Sequence, residues 1–428
     1  MPAPARRKSS RSPTPKPPAA DGKPAAAGAG TVSVRMYDVG FGDAFLFAFE
    51  AGGRTCRILF DCGSIAMPDG RTISQVASRI IADAKDPDGV ARLDVVVATH
   101  RHKDHVSGFA QGDWSAVEVR EVWMPWTEDP ADPAAREIRD VQSKLALALG
   151  ARLRAAPDPV AQVLLDNALS NESAMRTLHS GFQGVRTRRF LPSADGSDRT
   201  FTTDALPGVT VHVLGPSRDK EVIRDMTPPA GEAYLRGSAP PVDPASGERR
   251  APFPARFERG SPPAGTELPE AERKKLRDAT SFDDLDAAVA LDGAVNGTSL
   301  MIVLDVAGTR FLFPGDAQWG TWNAALRDPS ASELLRSVRF YKVGHHGSEN
   351  ATPRQFVEKV LPDGPWAMVS TIERPQWKNV PKPALLDALR KTKHAILVRS
   401  DQDEAAPTSP KAFVVEHGVV VEARIPLG

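Results

Sequence analysis

Residues 93–108 read LDVVVATHRHKDHVSG, and this stretch decides the fold. Near its start, residues 95–98 (VVVA) form an unbroken apolar run, which is typical of a strand buried on both faces. Side chains two positions apart on a strand point the same way, so His100 and His102 can face one point in space. Asp104 and His105 follow where the chain leaves the strand, and they offer a carboxylate and an imidazole to a second point nearby. This spacing predicts a site for zinc or a similar divalent cation.

The motif THRHKDH at 99–105 resembles the H-x-H-x-D-H signature of the metallo-β-lactamase superfamily. Further blocks look like the branch of that superfamily found in competence DNA-internalisation proteins, and they occur in the order expected for that branch. They are MYDVGFGDA at 36–44, NGTSL at 296–300, FPGDA at 313–317 and KVGHHGS at 342–348. The resemblance implies an α/β fold with αββα layering, in which helices flank a sandwich of two mixed β-sheets.

The resemblance also implies a centre of two divalent metal ions, held by residues from both halves of the chain. The implied ligands are His100, His102, Asp104, His105, Asp316 and His345. The late histidine is His345 or its neighbour; we favour His345 as the ligand and place His346 beside the site as a proton donor or phosphate contact. Asp61 matches a residue that orients the histidine loop by hydrogen bonds instead of binding metal. Asp104 is also expected to accept the proton of the attacking water.

The first metal lacks an assigned third histidine. The histidines that remain are His179, His212, His394 and His417, and none of them is assigned to the site. This position is therefore expected to be completed by water or to bind its ion weakly. Zinc is the expected metal, and manganese is the alternative because carboxylate and water ligands suit it.

Composition limits the kind of protein this can be. The 428 residues carry a formal net charge of zero, so no overall basic field indicates nucleic-acid binding. The two cysteines make a disulfide framework implausible and favour a reducing, cytoplasmic compartment. No apolar run approaches the roughly 18 residues that a membrane-spanning helix needs, so we expect no membrane contact.

Two segments differ from the rest of the chain. Residues 1–31 are basic and rich in Pro, Ala and Gly, which predicts a disordered tail. Residues 32–428 are expected to form the metallo-β-lactamase-like domain. Within it, residues 217–288 form a partly disordered insertion with a helix near 269–279, and this insertion is a candidate lid over the site. Helices are predicted at 73–84, 134–150, 160–180, 352–360 and 382–391.

The resemblance implies a metal-dependent hydrolase in which a hydroxide bridging the two ions attacks the substrate. Phosphodiesters of a nucleic acid or a nucleotide are the expected substrates. Hydrolysis of a small ester, thioester or lactam is the alternative, because the same centre supports each of these reactions. A catalytically idle metal-binding scaffold is an alternative of another class, and the complete set of ligands argues against it.

Overall fold

The structure is a computed structural model that describes residues 30–68, 70–169, 171–229, 231–234, 284–374, 380–402 and 412–428. Nearly all of the expected N-terminal tail lies outside these ranges, as do most of the expected insertion and its predicted helix near 269–279. Within the described residues, no helix is long and apolar enough to cross a membrane.

Strands occupy much of the described chain. In chain order they are β1 (Thr31–Tyr37), β2 (Phe45–Ala51), β3 (Arg54–Phe60), β4 (Arg92–Val97), β5 (Glu118–Pro125), β6 (Thr187–Leu191), β7 (Thr200–Phe201), β8 (Val209–Gly215), β9 (Met301–Val306), β10 (Thr309–Phe313), β11 (Val338–Lys342), β12 (Trp366–Val369), β13 (Ile396–Arg399), β14 (Phe413–Glu416) and β15 (Val420–Pro426). The apolar run that opens the histidine stretch lies in β4, as predicted.

The described strands form two mixed sheets. The first has eight strands in the order β14-β15-β1-β2-β3-β4-β5-β6, and the second has seven in the order β13-β12-β11-β10-β9-β8-β7. In the first sheet, pairing is antiparallel from β14 to β3 and parallel from β3 to β6. In the second, β7 to β10 pair antiparallel and β10 to β13 pair parallel. The predicted layered α/β architecture with two mixed sheets is confirmed.

Helices cover the outer faces of the sheets. They are α1 (Ile73–Asp83), α2 (Lys103–Val106), α3 (Pro133–Ala155), α4 (Pro159–Leu169), α5 (Glu172–Arg176), α6 (Lys220–Arg224), α7 (Asp284–Asn296), α8 (Trp319–Arg327), α9 (Pro329–Leu335) and α10 (Pro383–Asp387). Single 3₁₀ turns lie at Ser107–Ala110, Trp114–Ala116, Trp126–Glu128 and His345–Gly347, and π turns at Thr177–Gly181, Phe356–Val360 and Ala388–Thr392.

The predicted end of helix α3 at Gly150 is wrong, because the helix continues to Ala155. A methyl group at Gly150 would lie 3.4 Å from the side chain of Leu165 on α4. The glycine therefore sits inside the helix where a neighbouring helix packs closely, and it is not a terminator.

The main core lies between the two sheets. Phe60 and Phe313, one from each sheet, stack with ring centroids 3.9 Å apart and an interplanar angle of 4°. Val209, Val211 and Val213 alternate along β8 and bury their side chains in the same core. A second apolar layer lies under α1, and a third lies under α8 and α9. Packing on both faces holds the strand ends in place.

Glu121 on β5 is a buried carboxylate with charged and polar partners. Its Oε2 accepts hydrogen bonds from Trp123 Nε1 and Arg189 Nε, each at 2.8 Å, and the hydroxyl of Thr203 donates to Oε1. Burial alone would raise the pKa of Glu121, but the hydrogen bonds from Arg189, Thr203 and Trp123 outweigh it and lower the pKa. A depressed pKa in the folded state adds stability above the unfolded pKa, and that stability is lost as pH falls through the folded pKa.

We therefore expect Glu121→Gln to lower the free energy of unfolding by about 2 kcal/mol at neutral pH, because it removes hydrogen bonds to a charged group. The difference from the wild type should shrink as the pH falls through the lowered pKa of the wild-type carboxyl, because the wild-type side chain then becomes protonated as well. Urea unfolding at neutral pH and over a series of acidic pH values measures this. Glu118→Gln is the matched control: this carboxylate lies on the same strand, is 48% exposed and pairs with Arg92 at 2.9 Å. It should change stability by less than about 1 kcal/mol, and an equal loss in both variants would contradict the prediction.

Candidate metal centre

The predicted site residues lie in loops that follow four strands. Asp61 follows β3, and the histidine stretch follows β4, its parallel neighbour. Asp316 follows β10, and the pair at 345–346 follows β11, again a parallel neighbour. Parallel strands carry their carboxyl ends at the same edge of a sheet, and ligands bind at that edge. A backbone hydrogen bond of 2.8 Å from Leu300 to Thr99 joins the two sheets here, so both sets of loops meet at one seam.

Four side chains from both halves of the chain form a buried group. Asp104, His105, Asp316 and His346 each offer one ligand atom, and these atoms all lie within 4.8 Å of one another. His346 Nε2 lies 3.2 Å from Asp104 Oδ2, and His105 Nε2 lies 3.1 Å from Asp316 Oδ2. The structure therefore brings together residues more than 200 positions apart in the sequence.

His100 and His102 form a second group, and Asp104 belongs to this group as well. His100 Nε2 and His102 Nδ1 are 3.1 Å apart, and both side chains are buried. Two nitrogens bound to one zinc ion at about 2.1 Å in tetrahedral geometry would lie about 3.4 Å apart. The pair is thus close to the separation of two ligands of a single ion, and Asp104 links it to the four-residue group.

The positions of His345 and His346 differ from those expected from the sequence, where His345 was favoured as the ligand. His346 is fully buried, and its Nδ1 donates to the carbonyl oxygen of Ser370 at 2.8 Å, so a neutral ring turns the Nε2 lone pair toward Asp104. The His345 side chain is 20% exposed, with Nε2 at 3.9 Å from Asp316 Oδ2 and Nδ1 at 2.9 Å from the Ser348 hydroxyl. The geometry therefore favours His346 as the ligand and places His345 at the edge of the site.

Asp61 supports the histidine loop from behind. Its Oδ1 accepts the Thr99 backbone N–H at 2.8 Å, and its Oδ2 lies 2.7 Å from the Thr99 hydroxyl and 2.8 Å from His105 Nδ1. A carboxylate on the outer nitrogen of an imidazole fixes the ring and its tautomer, and leaves the inner nitrogen for a metal. These contacts fit the orienting role that the resemblance implies.

Two glycines let neighbouring backbone pack against the histidine loop. A methyl group at Gly63 would lie 2.5 Å from backbone atoms of Asp104 and His105, and one at Gly42 would lie 2.7 Å from the carbonyl oxygen of Asp104. The same loop receives a backbone hydrogen bond of 2.8 Å from Asp43, and Cys62 donates to the His105 carbonyl at 2.8 Å. Main-chain atoms therefore pack against the histidine loop and hydrogen-bond to it.

Sequence reasoning did not assign a role to Asp43. In the structure the Lys342 ammonium forms a buried ion pair with Asp43 and lies 3.6 Å from Asp316 Oδ1. Lys342 therefore positions two carboxylates of the centre. The only sequence signal for Asp43 was its place in the block at 36–44.

Helix α7 brings two more unassigned residues to the centre. Asn296 Oδ1 lies 2.9 Å from His102 Nδ1, and Asp292 Oδ1 lies 3.7 Å from His102 Nε2. Their spacing of four residues puts both on one face of the helix, just before the recognised block at 296–300. None of the other histidines in the described residues, His179, His212, His394 and His417, joins either group.

The centre has an excess of negative charge. Burial alone would lower the pKa of His105, but the carboxylates of Asp316, Asp104 and Asp61 raise it well above its ordinary value. Burial, together with the charges of Asp104 and Asp316, raises the pKa of Asp292 to about 8. Among the described residues, the buried atoms Asp104 Oδ1 and His102 Nε2 have no hydrogen-bond partner. Bound divalent cations would balance the charge of these carboxylates and would bind the unpaired donor atoms.

A cavity of about 540 Å³ is lined by residues of α3, α4, α5 and α7 and by Arg101 of the histidine loop. The charged side chains lining it are Arg101, Glu128, Arg139, Glu172 and Arg176, and Leu291 and Val295 form its apolar wall. Arg101 stands between His100 and His102 in the sequence, and its guanidinium binds Glu128 through two hydrogen bonds of 2.9 and 3.0 Å. Three guanidinium groups face two carboxylates, which leaves this cavity net positive.

No model of a known protein family matches the chain, and no curated protein matches it in sequence. The geometry of the centre and the resemblance of its motifs are thus the two supports for a function.

Proposed function

We propose that the protein is a metal-dependent hydrolase of the metallo-β-lactamase type and that it acts on phosphodiesters. The observation that carries this proposal is the convergence of two donor groups that share Asp104. One group adds His100 and His102; the other adds His105, Asp316 and His346. Pairs of divalent ions about 3.5–4 Å apart are typical of phosphatases and nucleases.

Divalent ions bound here would lower the pKa of a coordinated water toward neutrality and neutralise charge on the group under attack. Hydrogen bonds and ion pairs within the chain orient the side chains that would bind these ions. Asp61 fixes the ring of His105, and the Ser370 carbonyl fixes the ring of His346. Asp316 is held by Lys342 and by the backbone N–H of His345 at 3.0 Å.

Proton transfer is assigned to Asp104 and His345. Asp104 Oδ1 is buried without a hydrogen-bond partner among the described residues, so it is available to accept the proton of the attacking water. His345, hydrogen-bonded to the Ser348 hydroxyl, is partly exposed and placed to donate to the leaving oxygen. This reverses the roles of the two adjacent histidines that we favoured from the sequence.

The cavity lined in part by Arg101 supports an anionic substrate. Its lining also contains Arg139 and Arg176, and guanidinium groups match phosphate geometry through paired hydrogen bonds. Arg101 is paired with Glu128, but the three arginines still exceed the two carboxylates of the lining by one charge. The reacting group of an ester or lactam carries no negative charge that this lining could bind, and this favours phosphodiesters over the alternative substrates.

A substrate panel tests the proposal. Purified protein loaded with zinc or manganese should hydrolyse bis-p-nitrophenyl phosphate or single-stranded DNA, and a chelator should abolish this activity. Nitrocefin and a thioester should react at least about 100-fold more slowly, because their reacting groups are uncharged and offer no phosphoryl oxygens to the guanidinium groups. Asp104→Asn is the inactive control. Protein that takes up no metal during dialysis would contradict the hydrolase proposal, and turnover of nitrocefin or the thioester alone would contradict the substrate class.

A further inference from the structure

The histidine pair His100 and His102 has a third donor atom beside it. Helix α7 ends at Asn296, whose side chain is buried, and its Oδ1 lies 2.9 Å from His102 Nδ1. His102 Nδ1 lies in turn 3.1 Å from His100 Nε2. His102 Nδ1 is thus close to both the amide oxygen and the second imidazole nitrogen, each at a distance typical of two ligands of one ion.

The amide of Asn296 is held in one orientation. Its Nδ2 donates to Asp292 Oδ2 at 3.0 Å, one turn earlier on the same helix, so its oxygen must face the histidine pair. Asn167 on α4 hydrogen-bonds to Asp292, and its Oδ1 accepts the backbone N–H of Asp104 at 3.2 Å. Two helices therefore fix the position of this oxygen relative to the metal loop.

We propose that Asn296 Oδ1 is the third protein ligand of the ion held by His100 and His102, where the resemblance implies a histidine. This inference rests on the proposed metal centre and deepens it. In this arrangement His102 carries its proton on Nε2 and directs it to Asp292, whose Oδ1 lies 3.7 Å away. A carboxylate behind a metal-bound imidazole is the usual way to fix its ring.

The competing interpretation is that Asn296 only accepts a hydrogen bond from His102 Nδ1. That would protonate Nδ1 and leave His102 Nε2, a buried atom without a hydrogen-bond partner among the described residues, as an acceptor with Asp292 Oδ1 3.7 Å away, beyond hydrogen-bond distance. Such an unpaired buried acceptor is costly. Coordination by Nδ1 uses that nitrogen and the amide oxygen together, and it gives Nε2 a proton that faces Asp292 Oδ1.

The ligand type has a consequence for metal choice. A carbonyl oxygen is a harder ligand than imidazole and suits manganese or magnesium better than zinc. We therefore expect this position to select manganese more strongly than a site with three histidines would.

Equilibrium dialysis against manganese or zinc, with the bound metal counted by elemental analysis, tests the assignment without measuring activity. The wild type should bind two manganese ions. Asn296→Ala should bind the second ion at least about 10-fold more weakly, since it loses a ligand. Asn296→Asp should keep both ions, because its carboxylate oxygen occupies the same place. The manganese electron paramagnetic resonance spectrum should change from a coupled pair to a single ion only in the alanine variant.

Asn296→His provides a second test if the alanine variant does not fold. It should hold two ions and shift the preference of the first position toward zinc by at least about 10-fold. An unchanged zinc preference in this variant, or wild-type manganese affinity in Asn296→Ala, would overturn the assignment of Asn296 and leave the hydrolase proposal intact. A wild-type protein that binds no metal would instead remove the metal centre, and both proposals with it.

Discussion

Asp316→Asn should lower kcat/KM on bis-p-nitrophenyl phosphate by on the order of 10³-fold or more, because the residues of the metal centre act as a unit and the loss of one disables the others. In the structure Asp316 Oδ2 lies 3.1 Å from His105 Nε2, and Oδ1 accepts the His345 backbone N–H and faces Lys342. The substitution keeps the shape of the side chain and removes its charge. It therefore weakens the ligand set and leaves Lys342 with one carboxylate partner fewer.

The measurement is steady-state turnover together with metal content after dialysis. Asp305→Asn is the matched control, because Asp305 is a carboxylate on β9 of the same sheet that pairs with Arg310 at 3.0 Å in the hairpin to β10. This control should keep the activity and metal content of the wild type. If Asp316→Asn retained more than about a tenth of wild-type activity, Asp316 would not belong to the reacting centre.

Substitutions of the two adjacent histidines should separate their roles. His346→Ala removes a buried donor that lies 3.2 Å from Asp104 Oδ2, so we expect the loss of one ion and a fall in turnover of about 10³-fold or more. His345→Ala removes a partly exposed ring that contacts Ser348. It should keep both ions and lower turnover by about 10²-fold, as expected when a general acid is lost.

Elemental analysis and turnover of the two variants decide between the assignments. Loss of metal in His345→Ala, with metal retained in His346→Ala, would restore the assignment favoured from the sequence. Supplying excess metal offers a further check: it should recover part of the activity of His346→Ala and none of that of His345→Ala.

Much of the fold could be predicted because apolar patterning marks strands buried in a core. The run in β4 and the alternating residues of β8 are examples. The short strands β6 and β7 were missed. The sequence of β6, Thr187–Leu191, contains two arginines and is only partly buried at the edge of its sheet, so it has no apolar pattern to detect. Strands of this kind form because they pair with a neighbouring strand, and their own sequence does not reveal them.

The candidate site could be predicted where its residues are close in sequence. His100, His102, Asp104 and His105 give a signal by their spacing alone. The choice between His345 and His346 depends on the backbone: both residues have left-handed φ values, 46° and 53°, and these rotate His346 into the site. Such consecutive left-handed residues are rare for side chains larger than glycine, and no local pattern predicts them.

Asn296 illustrates a different limit of sequence reasoning. A neutral amide is not on the usual list of transition-metal ligands, and its role depends on where α7 ends relative to the histidine loop. The block at 296–300 was recognised from the resemblance, but the contact of Asn296 with His102 is a tertiary one. Only the packing of α7 against α3 and α4 establishes it.

The glycines at 42 and 63 leave no room for a single added carbon beside the histidine loop. Changes in substrate preference during evolution are therefore not expected to come from reshaping that loop, since any new side chain at either glycine would displace it. They are expected on the part of the cavity wall that α3 and α5 form, outside both sheets. This part of the wall lies apart from the residues assigned to the metal centre, so selectivity can vary there while the catalytic geometry is retained.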